Sequence, residues 1–352
     1  MMQTKPFFIV GHERSGTTLM AVMMDRHSRV AVPPETHFFE QVCPIHKAHQ
    51  RAAPEILVDQ YFRSRLSQKL KLARQELLDR LDGRKSSWAD LFRVVLNTYA
   101  VNHCKELYGE KTPVHYKIAP QLLELFPQSR MIWMFRDGRD VLLSLSKVPW
   151  KIHRILRVHA WEWRRSMEQM RQRQRQYPDR IIEVKFENLL TNPEFELNRV
   201  CQFLGIEFEP RQMNPEISSD VVMLSILFRQ YCALGAIDSS RIGGWKRGFS
   251  PQQQSLLNSV MQPCLSQFGY LTDDPTNGRP KLEKLKNDMA NLLCRSNLSW
   301  YRSVAARHLR KHTIMLDAPR ETEASTQTMS TLDEVALGVP AAIGESGLQN
   351  SS

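Results

Sequence analysis

Short apolar runs of β type alternate along the chain with longer stretches of helical periodicity. Phe7-Phe8-Ile9-Val10 reads as a buried strand, and beyond a glycine-bearing loop Leu19, Val22 and Met23 recur at i, i+3 and i+4, one face of a helix. Val30-Ala31-Val32, halted by Pro33-Pro34, is a second strand; Met131–Phe135 is a third and Ile181–Phe186 a fourth. Helical patterns occupy 55–80, 88–106, 118–126, 138–147, 155–177 and 193–204. Alternation of this kind predicts an α/β fold with a central, mainly parallel sheet flanked by helices.

No internal repeat is visible. Residues 281–312 read as one further basic helical segment, with Leu282, Leu285, Met289, Leu292 and Leu293 as an apolar stripe. Packing against the body is the default for such a stripe, and a homodimer contact is the alternative. From about Asp317 small and polar residues dominate, which predicts a disordered tail. The expected organisation is a main domain over 1–275, a basic helical extension over 276–316 and an acidic tail over 317–352.

Hydrophobic content of 42 % and charged content of 24 % over 352 residues are ordinary for a soluble globular chain that can bury a core. The charge distribution changes the picture more. Six acidic residues and one basic residue from Asp317 onward make that stretch −5, so the remainder carries +16 of an overall +11. A body this basic expects an anionic ligand, polymer or surface. Residues 151–180 hold nine basic and three acidic residues, but glutamines interleave the arginines where stacking aromatics would serve a nucleic acid. A solvated helix face is favoured there over nucleic acid, with an anionic glycan acceptor as the minority reading. Trp161 and Trp163 on that helix cannot face the same side, so at least one belongs to the core. Six widely spaced cysteines with no CxxC pair point to free thiols in a reducing compartment rather than to zinc or redox chemistry. The leading apolar run, FFIV, is too short for a signal-peptide core, and no stretch approaches the ~18 apolar residues of a membrane span. A cytoplasmic protein with no membrane partner is expected.

The candidate chemistry begins at Gly11-His12-Glu13-Arg14-Ser15-Gly16-Thr17-Thr18, which follows a strand and opens a helix. Glycines let backbone N–H groups turn inward on an anion, and the helix N-terminus adds partial positive charge. Ser15, Thr17 and Thr18 supply further donors. A nucleoside-triphosphatase loop carries lysine directly after its second glycine; here Thr17 takes that place and the cation has moved to Arg14. No acidic strand end suited to magnesium is evident either. The loop serves a metal-free anionic group better than a triphosphate with its metal.

A second constellation follows the strand Met131–Phe135: Arg136-Asp137-Gly138-Arg139-Asp140, with Ser144 beyond. Arginines at the C-terminal end of a buried strand lie where open α/β sheets bind ligands. Arg136 and Ser144 could grip a second phosphate, the arginine through its planar fork of donors. Taken alone, RDGRD can also be read as a charged turn with Asp137 capping a helix. Glu35, just after the second strand, is a candidate general base, with His37 as runner-up; a lone glutamate in a loop is otherwise a solvated surface charge.

RSGTTL after a strand, EKTP in the middle, RDGRD after a later strand and GGWK near 245 occur in order over about residues 5–275 and together resemble the PAPS-dependent sulfotransferases (PAPS, 3'-phosphoadenosine-5'-phosphosulfate). The motif style is similar to the bacterial and tyrosylprotein members, since lysine for Arg14 and tryptophan for Leu19 mark the cytosolic small-molecule enzymes. The resemblance implies a three-layer P-loop-like fold and a sulfotransferase domain over 1–275. It implies a first loop (Arg14, Ser15, Gly16, Thr17, Thr18) that cradles the 5'-phosphosulfate. Arg136 and Ser144 would bind the 3'-phosphate, under a late loop in which Arg241 and Lys246 are the candidate cations. It further implies Glu35 as the base and Lys111 as the group reaching the bridging oxygen, together with Arg14 on the transferring group. In-line transfer to a small-molecule, glycan or peptide acceptor would release PAP (3'-phosphoadenosine-5'-phosphate), with no metal. The bland alternative for Lys111 is a solvent-facing turn lysine. The rival readings are a P-loop kinase or NTPase of the same fold and a non-catalytic anion-binding protein.

Overall fold

The structure is a computed structural model that describes residues 5–146, 156–214 and 239–271. The expected helix at 281–312, with its apolar stripe, and the tail beyond 317 lie outside the described residues. Five strands form the central sheet: β1 (Phe7–Gly11), β2 (Val30–Ala31), β3 (Leu107–Lys111), β4 (Arg130–Phe135) and β5 (Ile181–Lys185). Their order is β2-β3-β1-β4-β5, and every pairing is parallel. The chain moves from β3 on one side of β1 to β4 on the other, so the C-terminal ends of β1, β3 and β4 open a crevice at the switch in strand order. Ligands of open parallel sheets bind at such a switch point.

Both faces of the sheet are covered, which is why its strands read as continuous apolar runs rather than alternating ones. On one face Phe7 and Ile9 of β1 with Ile132 and Met134 of β4 pack against Met20, Val22, Met23 and Met24 of the first helix, Thr17–Asp25, and against Leu197 and Val200. On the other face Phe8 meets Phe92 and Phe126 at ring-centroid distances of 6.3 and 5.8 Å. Nearby Trp133 sits edge-on to Phe268 of the late segment at 5.7 Å. Trp133 is 1 % exposed, and truncating a side chain of that size in a core costs about 3–5 kcal/mol.

Four of the strands are those expected from the pattern; β3 is not, although it lies inside the sheet, between β2 and β1. Its sequence, LYGEK, has no apolar run because three of its five residues answer to local demands. Gly109 leaves room for the Phe7 ring, which a Cβ would meet at 2.3 Å, and Glu110 and Lys111 are buried in ion pairs. The single helical stretch expected over 55–80 is three helices, Pro54–Arg63, Arg65–Leu70 and Arg74–Leu81. Ser64 turns extended (φ −83°, ψ 155°) and Lys71 left-handed (φ 50°), which breaks the run without disturbing its periodicity. A late helix, Pro251–Gln267, begins at a Ser250/Gln253 capping box and buries Leu257, Val260, Met261, Cys264 and Leu265, with Pro263 obscuring the pattern. Both Trp161 and Trp163 are buried on the helix Leu156–Gln176. Among the described residues no helix is long and apolar enough to cross a membrane.

Candidate active site

The loop after β1 is held in a conformation that turns its amides inward. Gly11 lies so close to β4 that a Cβ would stand 2.2 Å from the Met134 carbonyl oxygen. Gly16 is left-handed (φ 89°), and a Cβ there would strike the Phe186 ring at 2.2 Å. Arg14 is also left-handed (φ 68°), a conformation costly for a side-chain-bearing residue and most often retained at functional turns. The N-cap of the helix Thr17–Asp25 is Gly16, which has no side chain to cap it. Ser15 is fully buried, and its Oγ has no hydrogen-bond partner among the described residues.

The cation missing after Gly16 arrives from the neighbouring strand. Lys111, the last residue of β3, is 3 % exposed, so it is no solvent-facing turn lysine. Its Nζ donates to Thr18 Oγ1 (3.2 Å) and to Glu35 Oε1 (2.5 Å). Glu35 follows β2, and its other oxygen, Oε2, stands 3.1 Å from His37 Nε2. Lys69 Nζ donates to the Glu35 carbonyl at 3.2 Å. Burial pushes the Glu35 carboxyl up, but Lys111 and His37 outweigh it and hold the group at about 2. Glu35 is therefore an anion at all physiological pH, and a feeble base for as long as Lys111 is against it.

The second motif divides its labour. Arg136, at the end of β4, is buried with its guanidinium 4.6 Å from the centre of the Phe186 ring. Its Nη2 donates to the Arg241 carbonyl at 2.9 Å, and its Nε has no partner among the described residues. Burial lowers the Arg136 pKa, a cost that the nearby Asp140 and Glu187 charges partly offset. Arg14 Nε donates to Ser144 Oγ at 3.0 Å, joining the first loop to the helix Gly138–Ser146. Asp137, Arg139 and Asp140 are structural. Arg139 grips Asp137 through a forked pair (2.6 and 3.0 Å), donates to Asn258 and to the Tyr270 carbonyl, and lies 3.8 Å over the Trp245 ring. Asp140 accepts the backbone N–H groups of Gly243 and Trp245, both at 2.8 Å, and so fixes the loop that Arg136 touches.

The structure thus gathers Glu35, Lys111 and Thr18 at one place, and brings Arg14 to Ser144 and Arg136 to the backbone of the loop bearing Arg241. Arg14, expected beside the transferring group, makes its hydrogen bond to Ser144. Lys246 is exposed, 6.0 Å from the centre of the Trp245 ring. Sequence reasoning missed Asp140, Glu187 and Glu110. Asp140 and Glu110 stand inside recognised motifs, RDGRD and EKTP, but Glu110 also acts through Thr36, 74 residues away, and Glu187 acts through Asp137, 50 residues away, with no local pattern to mark it. Among the described residues no cluster of three or more His, Cys, Asp or Glu is arranged to hold a metal ion.

Comparison with known proteins gives the family. Residues 6–210 match the profile described as the sulfotransferase family. The chain is 28 % identical over 224 residues to a protein-tyrosine sulfotransferase of Drosophila melanogaster, an alignment covering 59 % of this chain and 40 % of that protein's length. It is 26 % identical to protein-tyrosine sulfotransferase 1 of Danio rerio, over 78 % of this chain and 75 % of that one. In fold it is similar to the sulfotransferase domain from the Synechococcus PCC 7002 olefin synthase, with a TM-score of 0.55 at 22 % identity over 74 % of this chain and 94 % of that domain. With more than half its length matched by the family profile, the chain belongs to the sulfotransferase family.

Proposed function

We propose that this chain transfers a sulfuryl group from PAPS to a hydroxyl acceptor, without a metal ion, and releases PAP. The observation that supports this most is that two of the buried polar atoms without a hydrogen-bond partner among the described residues stand at strand ends, Ser15 Oγ in the first loop and Arg136 Nε at the end of β4. A buried polar group left unpaired costs about 1–3 kcal/mol, so each position calls for a ligand atom. Both flank the crevice at the switch in strand order, and PAPS carries an anionic group at each end to meet them. The residues present fit it. Ser15, Gly16, Thr17 and Thr18 would hold the 5'-phosphosulfate through loop amides and hydroxyls. Arg136, Ser144 and the loop bearing Arg241 and Lys246 would hold the 3'-phosphate, and Arg14, resting on Ser144, lies between the two groups.

PAPS supplies the activated sulfuryl group when bound. Lys111 then exchanges Glu35 for the oxygen that PAP retains, where it holds the negative charge left as the sulfur–oxygen bond breaks. Release from Lys111 raises the proton affinity of Glu35, which takes the acceptor hydroxyl's proton as the new sulfur–oxygen bond forms. The names of the relatives make peptidyl tyrosine the first acceptor to try.

Thermal shift with PAP against ATP–magnesium tests the donor. At a hundredfold excess over its dissociation constant PAP should add about 2.7 kcal/mol of stability. Stabilisation by ATP–magnesium alone would overturn the reading. Transfer of labelled sulfonate from PAPS to a tyrosyl peptide, lost in Glu35→Gln, tests the chemistry.

A further inference from the structure

Glu110 lies on β3 next to Lys111, and because successive strand residues point to opposite faces its carboxylate turns away from the crevice. It is 0 % exposed. Its Oε1 accepts from Thr36 Oγ1 at 2.8 Å and from Thr112 Oγ1 at 2.5 Å, while His115 Nδ1 meets its Oε2 at 3.0 Å. His115 Nε2 goes on to Glu40 Oε2 at 3.2 Å. The two threonines are not arbitrary partners. Thr36 directly follows Glu35, and Thr112 directly follows Lys111. Each hydroxyl also accepts a backbone N–H of the Glu35 loop, Thr112 from His37 (3.2 Å) and Thr36 from Phe38 (3.3 Å).

A buried ion pair is a weak way to stabilise a fold, since apolar replacements of similar volume often do as well or better. Both oxygens of this carboxylate are nonetheless committed, and Oε1 ties together the two segments that carry the reacting side chains. The Glu35 loop needs such a tie, because His37 is held left-handed (φ 46°) and would relax if unconstrained. His115, driven up to about 9 by Glu110 and Glu40 against the opposing effect of burial, stays a cation and keeps the staple loaded.

We propose that Glu110 is a positioning residue that staples the Glu35 loop to the end of β3 through Thr36 and Thr112, fixing the separation of Glu35 and Lys111. This inference rests on the proposed sulfuryl transfer. Its test compares Thr36→Val, Thr36→Ser, Glu110→Gln and the double variant Thr36→Val/Glu110→Gln, all assayed well below their melting temperatures.

Thr36→Val should lose about tenfold in kcat and Glu110→Gln about a hundredfold, with PAP affinity within twofold of wild type in both. The double variant should be no worse than Glu110→Gln alone, because both changes open one staple. Thr36→Ser should recover most of the tenfold loss, since it keeps the hydroxyl; a purely packing role would be served by valine instead. Wild-type kcat in Thr36→Val, equal impairment of Thr36→Ser and Thr36→Val, or a parallel loss of PAP affinity would each overturn the proposal. Should Glu110→Gln fail to fold, the valine–serine pair decides alone. If the wild type transferred no sulfuryl group, the functional reading would fall by itself. The staple is then judged on acetylation of Lys111 by acetic anhydride, followed by peptide mass spectrometry. Thr36→Val should react at least fivefold faster than wild type and Thr36→Ser should not; equal rates in all three would sink it.

Discussion

The two ends of the crevice treat buried charge in opposite ways. At the transfer end the ionised groups are paired with one another, Lys111 with Glu35, and His37 Nε2 stands against the second Glu35 oxygen, so the resting site is internally neutralised. At the anchor end the arginines hydrogen-bond to neutral atoms, Arg14 to a hydroxyl and Arg136 to a carbonyl beside the face of a ring, with the Asp140 and Glu187 charges acting on Arg136 from nearby. An arginine supported by neutral partners keeps its charge for an incoming anion. A lysine already paired must give up its partner to act. The first arrangement suits binding, which should be ready beforehand; the second suits a base that should gain proton affinity only once the donor is in place.

The largest way to break this contrast is at the transfer end. Lys111→Ala should lower kcat by about 10³ and Glu35→Gln by about 10² to 10⁴, with PAP affinity changed little, in steady-state assays with labelled PAPS. The anchor end should respond inversely. Arg136→Met removes charge-assisted bonds worth about 1.5–3 kcal/mol, weakening PAP by roughly 10- to 100-fold by calorimetry while kcat at saturating donor holds. A smaller loss of the same kind, about three- to tenfold in PAP affinity, is expected of Asp140→Asn, which never touches the ligand but releases one of the two amides of the Gly243–Trp245 loop.

The smallest effects come from pH. His115 has a folded-state pKa raised from 6.5 to about 9, so its contribution to stability is complete below pH 6.5 and is lost as pH rises through 9. Melting temperature should fall by a few degrees over that window, and His115→Gln should be flat across it. Glu35 has the opposite sign: lowered from 4.5 to about 2, it contributes above pH 4.5 and loses that contribution only as pH falls toward 2. No acidic limb from Glu35 should appear in kcat/KM above about pH 4.

Much of the site is legible in the sequence because phosphate-binding loops and strand-end arginines use adjacent residues. Gly11–Thr18 and Arg136–Ser144 each announce themselves within eight or nine positions. The strand β3 escapes for a physical reason: Gly109, Glu110 and Lys111 give up apolar character to close approach and to buried ion pairs. The breaks at Ser64 and at 71–73 escape because a turn of one to three residues leaves helical periodicity unchanged on either side.

The sequence by itself determined the α/β class, four of the five strands of the sheet, the phosphate-type loop and the residue types for sulfuryl chemistry, since each rests on local periodicity or a contiguous motif. Only the tertiary structure decided that Lys111 fills the place left empty after Gly16, that Arg14 rests on Ser144, and that Glu110 lies beneath both Glu35 and Lys111. The hydrogen bonds behind these placements, Lys111–Thr18, Arg14–Ser144 and Thr36–Glu110, join residues 93, 130 and 74 positions apart, which only the folded sheet and the helices on it bring together.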